Sequence, residues 1–329
     1  MRYIRSQSNN PSFNLAMEQY VFDRLSKQED VFMLWQNDNS IIVGVNQNTI
    51  AEINASYVNE NKVNVVRRLS GGGAMYQDLG NVNFTFISKG KGQIFDFSSF
   101  VTPIINALAT IGIEAKSSGR NDVTIDGKKF SGNAQYQKDS RIMHHGTILF
   151  DSDLSVLSKA LKVSSSKLEG KGVKSVISRV TNIRPYLKSD ISVNEFMDIL
   201  FNSIDEQFSL TPYELTQEDI KEIELLQKNR YATWEWNYGH SPSYTLRKVK
   251  RFDMVGNIEI LLSVKESRID KISFYGDYFG QDISPLVEKL IETRYEKADI
   301  KQQLKEVNID RYFKGLSKED FIEFLVSVQ

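Results

Sequence analysis

An Asp-Gly pair at positions 126 and 127 constrains the fold of this chain more than any other short feature. It separates two runs of β-forming residues, 123–125 and 128–136, and this spacing predicts a two-residue hairpin turn. Because side chains alternate between the faces of a strand, the hairpin has an apolar and a polar face. The polar face is predicted to hold Asp122, Thr124, Lys129 and Ser131. It either meets water or lines a cleft, and it places Lys129 near Asp122, which keeps the ammonium group charged.

The rest of the chain alternates between helical and strand patterns and then changes in composition. Apolar residues at 13, 17, 21 and 25 predict an amphipathic helix that begins near Pro11. Strands are predicted at 31–35, 41–45, 63–67, 81–88 and 142–150. Helices are predicted at 48–61, at 101–111 and through most of 152–229. After His240, three β-rich runs precede three helical patterns, so we predict two domains, 1–243 and 244–329.

Composition excludes several functional classes. The 329 residues carry 41 basic and 42 acidic side chains, and this balance argues against broad nucleic-acid binding. No apolar run approaches the ~20 residues that cross a bilayer, and the N-terminus has no apolar signal core. The chain has no cysteine, which excludes disulfides and thiol nucleophiles, and only three histidines, which argues against a catalytic zinc site. We expect a cytoplasmic enzyme or binding protein that does not contact membranes.

A glycine-rich loop at 67–74, with the sequence Arg-Arg-Leu-Ser-Gly-Gly-Gly-Ala, follows a predicted strand. Three successive glycines leave backbone N–H groups accessible, and such groups bind phosphate or carboxylate. The two arginines add positive charge and paired donors. The loop is neither a Walker loop nor a dinucleotide fingerprint. The alternative is a flexible turn after a buried strand.

Two further features are candidates for binding. Six basic side chains lie between 167 and 188, where they could hold a triphosphate or contact an acidic protein; the alternative is a solvated surface. His144 and His145 are adjacent in a predicted strand, so they point to opposite faces and do not readily bind one metal. One is expected to be packed, and the other could face the same cleft as the hairpin.

Several of these segments together resemble lipoate–protein ligases of the biotin/lipoate ligase superfamily. The residues that carry the resemblance lie at 67–81, 119–122, 129–134, 144–147, 171–182 and 274–280. The resemblance thus spans nearly the whole chain. It implies an α+β fold of two α/β layers, in which a large catalytic domain has mixed, mostly antiparallel sheets flanked by helices. It also implies that residues 244–329 form a small α+β accessory domain.

The resemblance implies roles for particular residues. Lys129 would contact the lipoyl carboxylate and the α-phosphate, and Asp122 would orient Lys129 or support the nucleotide and a metal. The residues implied to bind ATP are Arg68, Gly73, Ala74, Met75, Tyr76, Lys129, Lys174, Ser178 and Arg179. The residues implied to bind lipoate are Arg68, Ser70, Gly71, Gly72, Lys129 and His145. No other direct protein ligand for a metal is implied.

The activity implied by the resemblance is ATP-dependent formation of lipoyl-AMP from lipoate, with Mg²⁺, followed by transfer of the lipoyl group to a lysine. The implied acceptors are apo lipoyl domains of 2-oxoacid dehydrogenases, the glycine-cleavage H protein, or both, and the enzyme is expected to be a monomer. Related octanoyltransferases and amidotransferases hold the acyl group on a cysteine, which this chain lacks. The alternatives are a ligase for octanoate or for a pre-modified lipoyl group, and a non-catalytic adenylate- or lipoate-binding protein.

Two residues depart from the pattern of the family. A basic residue is usual where Val45 stands, so one contact to the ligand or acceptor is missing or replaced. Gln77 stands where the family often has histidine, and this change is expected to have little consequence.

Overall fold

The structure, a computed structural model, divides into two compact units. The larger unit consists of Met1–Gln47 and Tyr57–Asn237, and the smaller one of Asn48–Ser56 and Tyr238–Gln329. The described residues are 1–27, 29–89, 97–118, 121–161, 179–241, 244–253, 255–276, 278 and 281–327. Within these ranges, every helix is too short or too polar to cross a membrane. The predicted boundary between 243 and 244 stays a prediction.

The strands of the larger unit alternate with helices along the chain. The strands are β1 Arg2–Arg5, β2 Val31–Trp35, β3 Ser40–Val43, β4 Asn64–Arg67, β5 Met75–Gln77, β6 Asn81–Lys89, β7 Lys116–Ser118, β8 Asp122–Ile125, β9 Lys128–Lys138, β10 Arg141–Leu149 and β11 Thr211–Pro212. The smaller unit contains β12 Tyr244–Phe252, β13 Gly256–Lys265 and β14 Arg268–Gly276.

The α-helices are α1 Pro11–Asp23, α2 Thr49–Glu52, α3 Ala55–Glu60, α4 Ser98–Thr110, α5 Leu154–Ala160, α6 Val193–Phe208, α7 Gln217–Leu226, α8 Ser284–Leu290, α9 Lys297–Gln303 and α10 Lys318–Val326. Short 3₁₀ turns lie at Leu25–Lys27, Arg184–Tyr186 and Ile309–Arg311, and π-helical turns at Gln227–Tyr231 and Glu235–Gly239. Helix α1 begins where predicted, because the Asn10 side chain caps its first N–H groups and Pro11 occupies its first position. The single helix predicted at 48–61 is instead two short helices, α2 and α3.

A large mixed sheet forms the centre of the larger unit. Its strand order is β11-β1-β2-β6-β10-β9-β8-β7, and the pairings from β2 to β7 are antiparallel. Phe32 and Phe84 pack with α4 and α6 in one core, whereas Met33 and Met143 pack with α1 in another. Both faces of the sheet are therefore covered by helices. This gives three layers, whereas two were expected. The predicted mixed, mostly antiparallel sheet flanked by helices is confirmed.

A second, smaller sheet positions the glycine-rich loop. Its strand order is β4-β3-β5, with β3 parallel to β4 and antiparallel to β5. The loop connects β4 to β5, so both of its ends are anchored in the same sheet. The apolar side chains Ile42 and Val66 join this sheet to the core under α1.

The hairpin between β8 and β9 has the predicted turn. Asp126 and Gly127 have φ angles of 50° and 74°, the positive values that a type I′ turn requires. The predicted pairing of Thr124 with Lys129 is confirmed. The register then shifts, so that Val123 lies opposite Ser131. Ser131 lines a cavity, but the prediction that it shares a face with Lys129 is wrong, because a β-bulge changes which residues share a face.

The smaller unit contains an antiparallel sheet of three sequential strands, β12, β13 and β14. Alternate residues of β13, including Ile258 and Ile260, are fully buried. They form one core with apolar residues of α8, α9 and α10, such as Leu286 and Phe321. This α+β arrangement is the one predicted from the β-rich runs and helical patterns.

Candidate active site

Arg67, the first of the two adjacent arginines, has a structural role in the protein interior. Its guanidinium group is fully buried and donates hydrogen bonds to backbone carbonyls. The acceptors are the carbonyl oxygens of Gly44, Val45, Gln47, Trp236 and Asn237, at 2.7–3.2 Å. Burial lowers the pKa of Arg67 to about 10. The expectation that both arginines present donors to a ligand is therefore wrong for Arg67, which holds two chain segments together.

Arg68 organises the glycine-rich loop from inside. Its guanidinium donates to the carbonyl oxygens of Gly71 and Gly73 at 2.7 and 2.9 Å, and its Nε donates to Ser70 Oγ at 3.1 Å. Burial lowers the pKa of Arg68 to about 10. These bonds turn the loop carbonyls toward the guanidinium. The arginine thus fixes the loop conformation and brings a positive charge beside the cavity.

Close packing under the loop depends on two glycines. Gly72 has a φ of 97°, which strongly favours glycine. A Cβ added to Gly44 would lie 2.3 Å from the carbonyl oxygen of Gly72, so a side chain there would displace the loop. The strand β3 and the loop can therefore approach this closely only with glycine at position 44.

His145 links the loop to a buried carboxylate. Its Nε2 lies 2.6 Å from Ser70 Oγ, and its Nδ1 lies 2.9 Å from Glu18 Oε1. Since a carboxylate only accepts hydrogen bonds, Nδ1 carries the hydrogen, and Nε2 can accept from the Ser70 hydroxyl. Glu18 also accepts from the Thr85 hydroxyl at 2.7 Å. The sequence analysis did not select Glu18. It lies among the buried residues of α1, and an acidic residue between apolar positions of that helix could have indicated a buried polar site.

His144 points away from His145, as predicted for neighbours in a strand. Its ring stacks on Phe100 with a centroid distance of 5.0 Å and an interplanar angle of 12°. Its nitrogens lie within hydrogen-bond distance of Gln135 and Asn133. His144 is thus a packed residue, and His145 is the histidine that lines the cavity. Among the described residues, no group of three or more acidic, histidine or cysteine side chains could hold a metal ion.

Lys129 lines the same cavity as the loop and forms the predicted ion pair. Its Nζ is 2.6 Å from Asp122 Oδ1, and both side chains are about two-fifths exposed. The backbone N–H of Lys129 donates to the carbonyl oxygen of Arg179 at 2.8 Å, and the N–H of Thr181 donates to the carbonyl oxygen of Lys129 at 2.9 Å. Residues 179–181 of the basic segment therefore run beside Lys129.

A cavity of about 220 Å³ brings most of the predicted site residues together. Those in its lining are Arg68, Gly72, Gly73, Ala74, Met75, Tyr76, Lys129 and His145. Ser70 and Gly71 contact Arg68, and Asp122 contacts Lys129. Lys174 and Ser178 lie outside the described residues. The individual roles of all these residues stay predictions.

Residues that the sequence analysis did not select complete the lining. Leu15, Trp35 and Ile42 give the lining apolar side chains. Trp35 also donates from Nε1 to Thr85 Oγ1 at 3.0 Å, and Thr85 in turn donates to Glu18. Other lining side chains include Asn81, Asn83, Asn133, Leu149, Leu157 and Leu161. The chain is thus an α/β protein with a partly apolar cavity that is lined by both the glycine-rich loop and Lys129.

Comparison with known proteins identifies the family. Residues 10–205 match the lipoyl protein ligase A/B catalytic domain, and residues 241–325 match the bacterial lipoate protein ligase C-terminus. The lipoate-protein ligase LplJ of Bacillus subtilis is 44% identical over 331 residues, which cover 99% of this chain and 100% of the relative. The chain therefore belongs to the lipoate–protein ligase family, and the predicted resemblance is confirmed.

Solved structures agree with this assignment. P. falciparum LipL1, solved in complex with lipoate, is 27% identical with a TM-score of 0.64, and the match covers 98% of this chain and 97% of that one. A bipartite ligase from Thermoplasma acidophilum, described with its E2 lipoyl domain, is 27% identical with a TM-score of 0.64, covering 73% and 96%. A lipoate-protein ligase A bound with ATP shares the fold, at 24% identity and a TM-score of 0.62, covering 73% and 98%.

Proposed function

We propose that this chain activates lipoate with ATP and transfers the lipoyl group to a lysine of an acceptor protein. The observation that carries this proposal is a single cavity whose lining contains both Lys129 and the loop that Arg68 organises. Two anions, a carboxylate and a triphosphate, must meet in such a reaction. A lysine and a set of backbone N–H groups supply the positive potential that this meeting requires.

In the first step, a carboxylate oxygen of lipoate attacks the α-phosphorus of ATP. A P–O bond forms, the bond to the leaving pyrophosphate breaks, and lipoyl-AMP results. The Lys129 ammonium stabilises negative charge on the carboxylate and α-phosphate oxygens, and Asp122 holds the lysine side chain in place. Mg²⁺ commonly binds one or two carboxylates together with phosphate oxygens, and Asp122 fits as such a ligand, where the ion would neutralise the pyrophosphate.

In the second step, the neutral amine of an acceptor lysine attacks the lipoyl carbonyl carbon. The C–N bond forms, the bond to the AMP oxygen breaks, and the amine loses a proton. The chain has no cysteine, so it cannot form a thioester with the lipoyl group between the two steps. Transfer therefore proceeds directly from the adenylate, and the partly apolar lining of the cavity limits contact of this reactive anhydride with water.

One relative supports the proposed acceptor. We expect apo lipoyl domains of 2-oxoacid dehydrogenases to be substrates, since the Thermoplasma relative is described with its E2 lipoyl domain. The glycine-cleavage H protein is a second expected acceptor. We propose that the enzyme acts as a cytoplasmic monomer.

Release of pyrophosphate tests the proposed activity. We expect purified protein with ATP, Mg²⁺ and lipoate to release pyrophosphate, and apo lipoyl domain added next to become lipoylated on one lysine. Octanoate in place of lipoate measures acyl specificity, and a mixture without acid is the blank. A mixture that contains lipoate but releases no more pyrophosphate than the blank would exclude the proposed first step.

Changing Glu18 tests whether the His145 chain supports the acyl site. In Glu18→Leu, the Nδ1–H of His145 and the hydroxyl of Thr85 lose their buried acceptor, and each loss costs about 1–3 kcal/mol. We expect the KM for lipoate to rise about tenfold or more. Glu18→Gln keeps an acceptor oxygen of the same shape and should stay within about threefold of the unchanged protein. Equal KM values for the two variants in steady-state assays would contradict this role of Glu18.

A further inference from the structure

An exposed leucine lies at the edge of the cavity, on the turn between β5 and β6. Leu79 is 44% exposed, whereas Gln77 before it and Asn81 after it are buried and line the cavity. Five other large apolar side chains of the described residues are exposed, and all of them follow Val180, the last residue of the lining. They are Phe208, Leu225, Val249, Leu261 and Tyr275. Single exposed apolar residues are common, so the surroundings of Leu79 decide whether it has a function.

The backbone that carries Leu79 is fixed by hydrogen bonds. The two carboxylate oxygens of Asp78 accept from the N–H of Gly80 at 3.0 Å and from the N–H of Asp153 at 2.8 Å. Gln36 Nε2 donates to the carbonyl oxygen of Leu79 at 2.7 Å. The turn is thus bonded to itself, to the segment after β2 and to the start of α5.

Close packing of Gly80 holds the turn against the end of β10. The carbonyl oxygen of Gly80 accepts from the N–H groups of Phe150 and Asp151 at 3.0 and 2.8 Å. A Cβ added to Gly80 would lie 2.1 Å from the carbonyl oxygen of Asp151, so only glycine permits this approach. Leu79 is therefore an apolar side chain on a rigid support, and burying it in an interface costs little backbone entropy.

Helix α5 continues the same side of the cavity. Asp153, which is bonded to the turn, caps α5 by accepting from the N–H of Ser155 at 2.9 Å. Leu157 on α5 and Leu161 just after it line the cavity and are half-buried. The rim on this side is thus apolar and partly open to solvent. A lysine of the acceptor must enter this cavity to reach the adenylate, so the surface around that lysine has to cover the rim.

We propose that Leu79 anchors the acceptor protein by packing against apolar side chains near the lysine that receives the lipoyl group. The inference rests on the proposed transfer of lipoyl to an acceptor, and it adds a residue that recognises the acceptor rather than lipoate or ATP. The carboxylates of Asp78 and Asp153 lie on the same rim. They favour the approach of a lysine, which is positively charged until it loses its proton.

Single-turnover transfer measures docking of the acceptor separately from activation of lipoate. The full chain is first charged with ATP, Mg²⁺ and lipoate, and apo lipoyl domain is then added at increasing concentration. We expect Leu79→Ser to need about tenfold more lipoyl domain, or a higher excess, for half of the maximal transfer rate, because it loses the apolar contact. Pyrophosphate release before the acceptor is added should stay within about twofold, because Leu79 is not in the cavity lining.

Hydroxylamine provides the control for the chemical step. Its nitrogen attacks the same lipoyl carbonyl carbon, the bond to the AMP oxygen breaks, and a hydroxamate forms without a protein surface to dock. The rate of this reaction should be the same in Leu79→Ser and in the unchanged protein.

Two further variants control for the substitution itself. Leu225 is 52% exposed, belongs to the same unit and lies outside the cavity lining. Leu225→Ser should therefore keep the half-saturating concentration of lipoyl domain within about twofold. Leu79→Met keeps an apolar side chain at the proposed anchor and should stay within about threefold of the unchanged protein.

The outcomes separate this role from the proposed function. If folded Leu79→Ser needs no more lipoyl domain than Leu225→Ser, Leu79 does not anchor the acceptor, while the proposed ligase activity stands. If transfer to hydroxylamine slows as much as transfer to the lipoyl domain, Leu79 acts on the adenylate and the docking role is excluded. If the unchanged protein forms no adenylate, the proposed function and the inference that rests on it are both excluded.

Discussion

Replacing Lys129 with methionine is expected to lower the rate of lipoyl-AMP formation by about a thousandfold, because the variant loses the positive charge that faces both reacting anions. The stability of the protein should change little. The Lys129–Asp122 pair is about two-fifths exposed on each side, and ion pairs of this kind contribute about 0–1 kcal/mol. Single-turnover formation of labelled adenylate from ATP and lipoate measures the rate, and thermal unfolding measures the stability.

Lys128→Met is the matched control for this experiment. Lys128 is the neighbouring residue of the same hairpin, is exposed, and lies outside the cavity lining. It carries the same charge and should leave the rate of adenylate formation unchanged within about twofold. Turnover by Lys129→Met at the rate of the unchanged protein would show that the reacting groups lie elsewhere.

Features of the fold that depend on short stretches of sequence were predictable. The Asp126-Gly127 turn and the pairing of Thr124 with Lys129 follow from residues that are close in the chain. The same is true of the glycine-rich loop between two strands. The bulge after Lys129 was not predictable, because simple alternation assumes that each residue has one partner. The predicted face of Ser131 failed for that reason alone.

Site residues that act through distant partners could not be identified from sequence patterns. Glu18 and His145 are separated by 127 positions, and Arg67 and Trp236 by 169. Nothing near Glu18 in the sequence shows that a histidine ring will lie against it. Likewise, the two adjacent arginines look equivalent in the sequence. Only the folded chain separates Arg67, which bonds to backbone carbonyls, from Arg68, which lines the cavity.

This difference between the arginines leads to the second large expected effect, which concerns stability. In Arg67→Met, five backbone carbonyl oxygens lose a buried donor. Each unpaired buried carbonyl costs about 1–3 kcal/mol before water or relaxation compensates, so we expect a loss of about 5 kcal/mol or more. That loss is comparable to the whole stability of many domains. The cooperative thermal transition of the larger unit should therefore shift to much lower temperature or disappear in calorimetry.

Arg67→Lys separates the charge from the shape of the donor group. A lysine ammonium has three donors around one atom, whereas the guanidinium fork reaches five carbonyls from three nitrogens, so the lysine variant should recover only part of the lost stability. Arg24→Met, at an exposed position, is the control for removing an arginine and should melt within about 2 °C of the unchanged protein. If Arg67→Met melted at the same temperature as the Arg24 variant, the hydrogen bonds from Arg67 to the carbonyls of Gly44, Val45 and Gln47 would not contribute to stability. The segment 44–47 would then be held by its other hydrogen bonds, such as the one that the N–H of Val45 donates to the carbonyl oxygen of Ser70 at 2.9 Å.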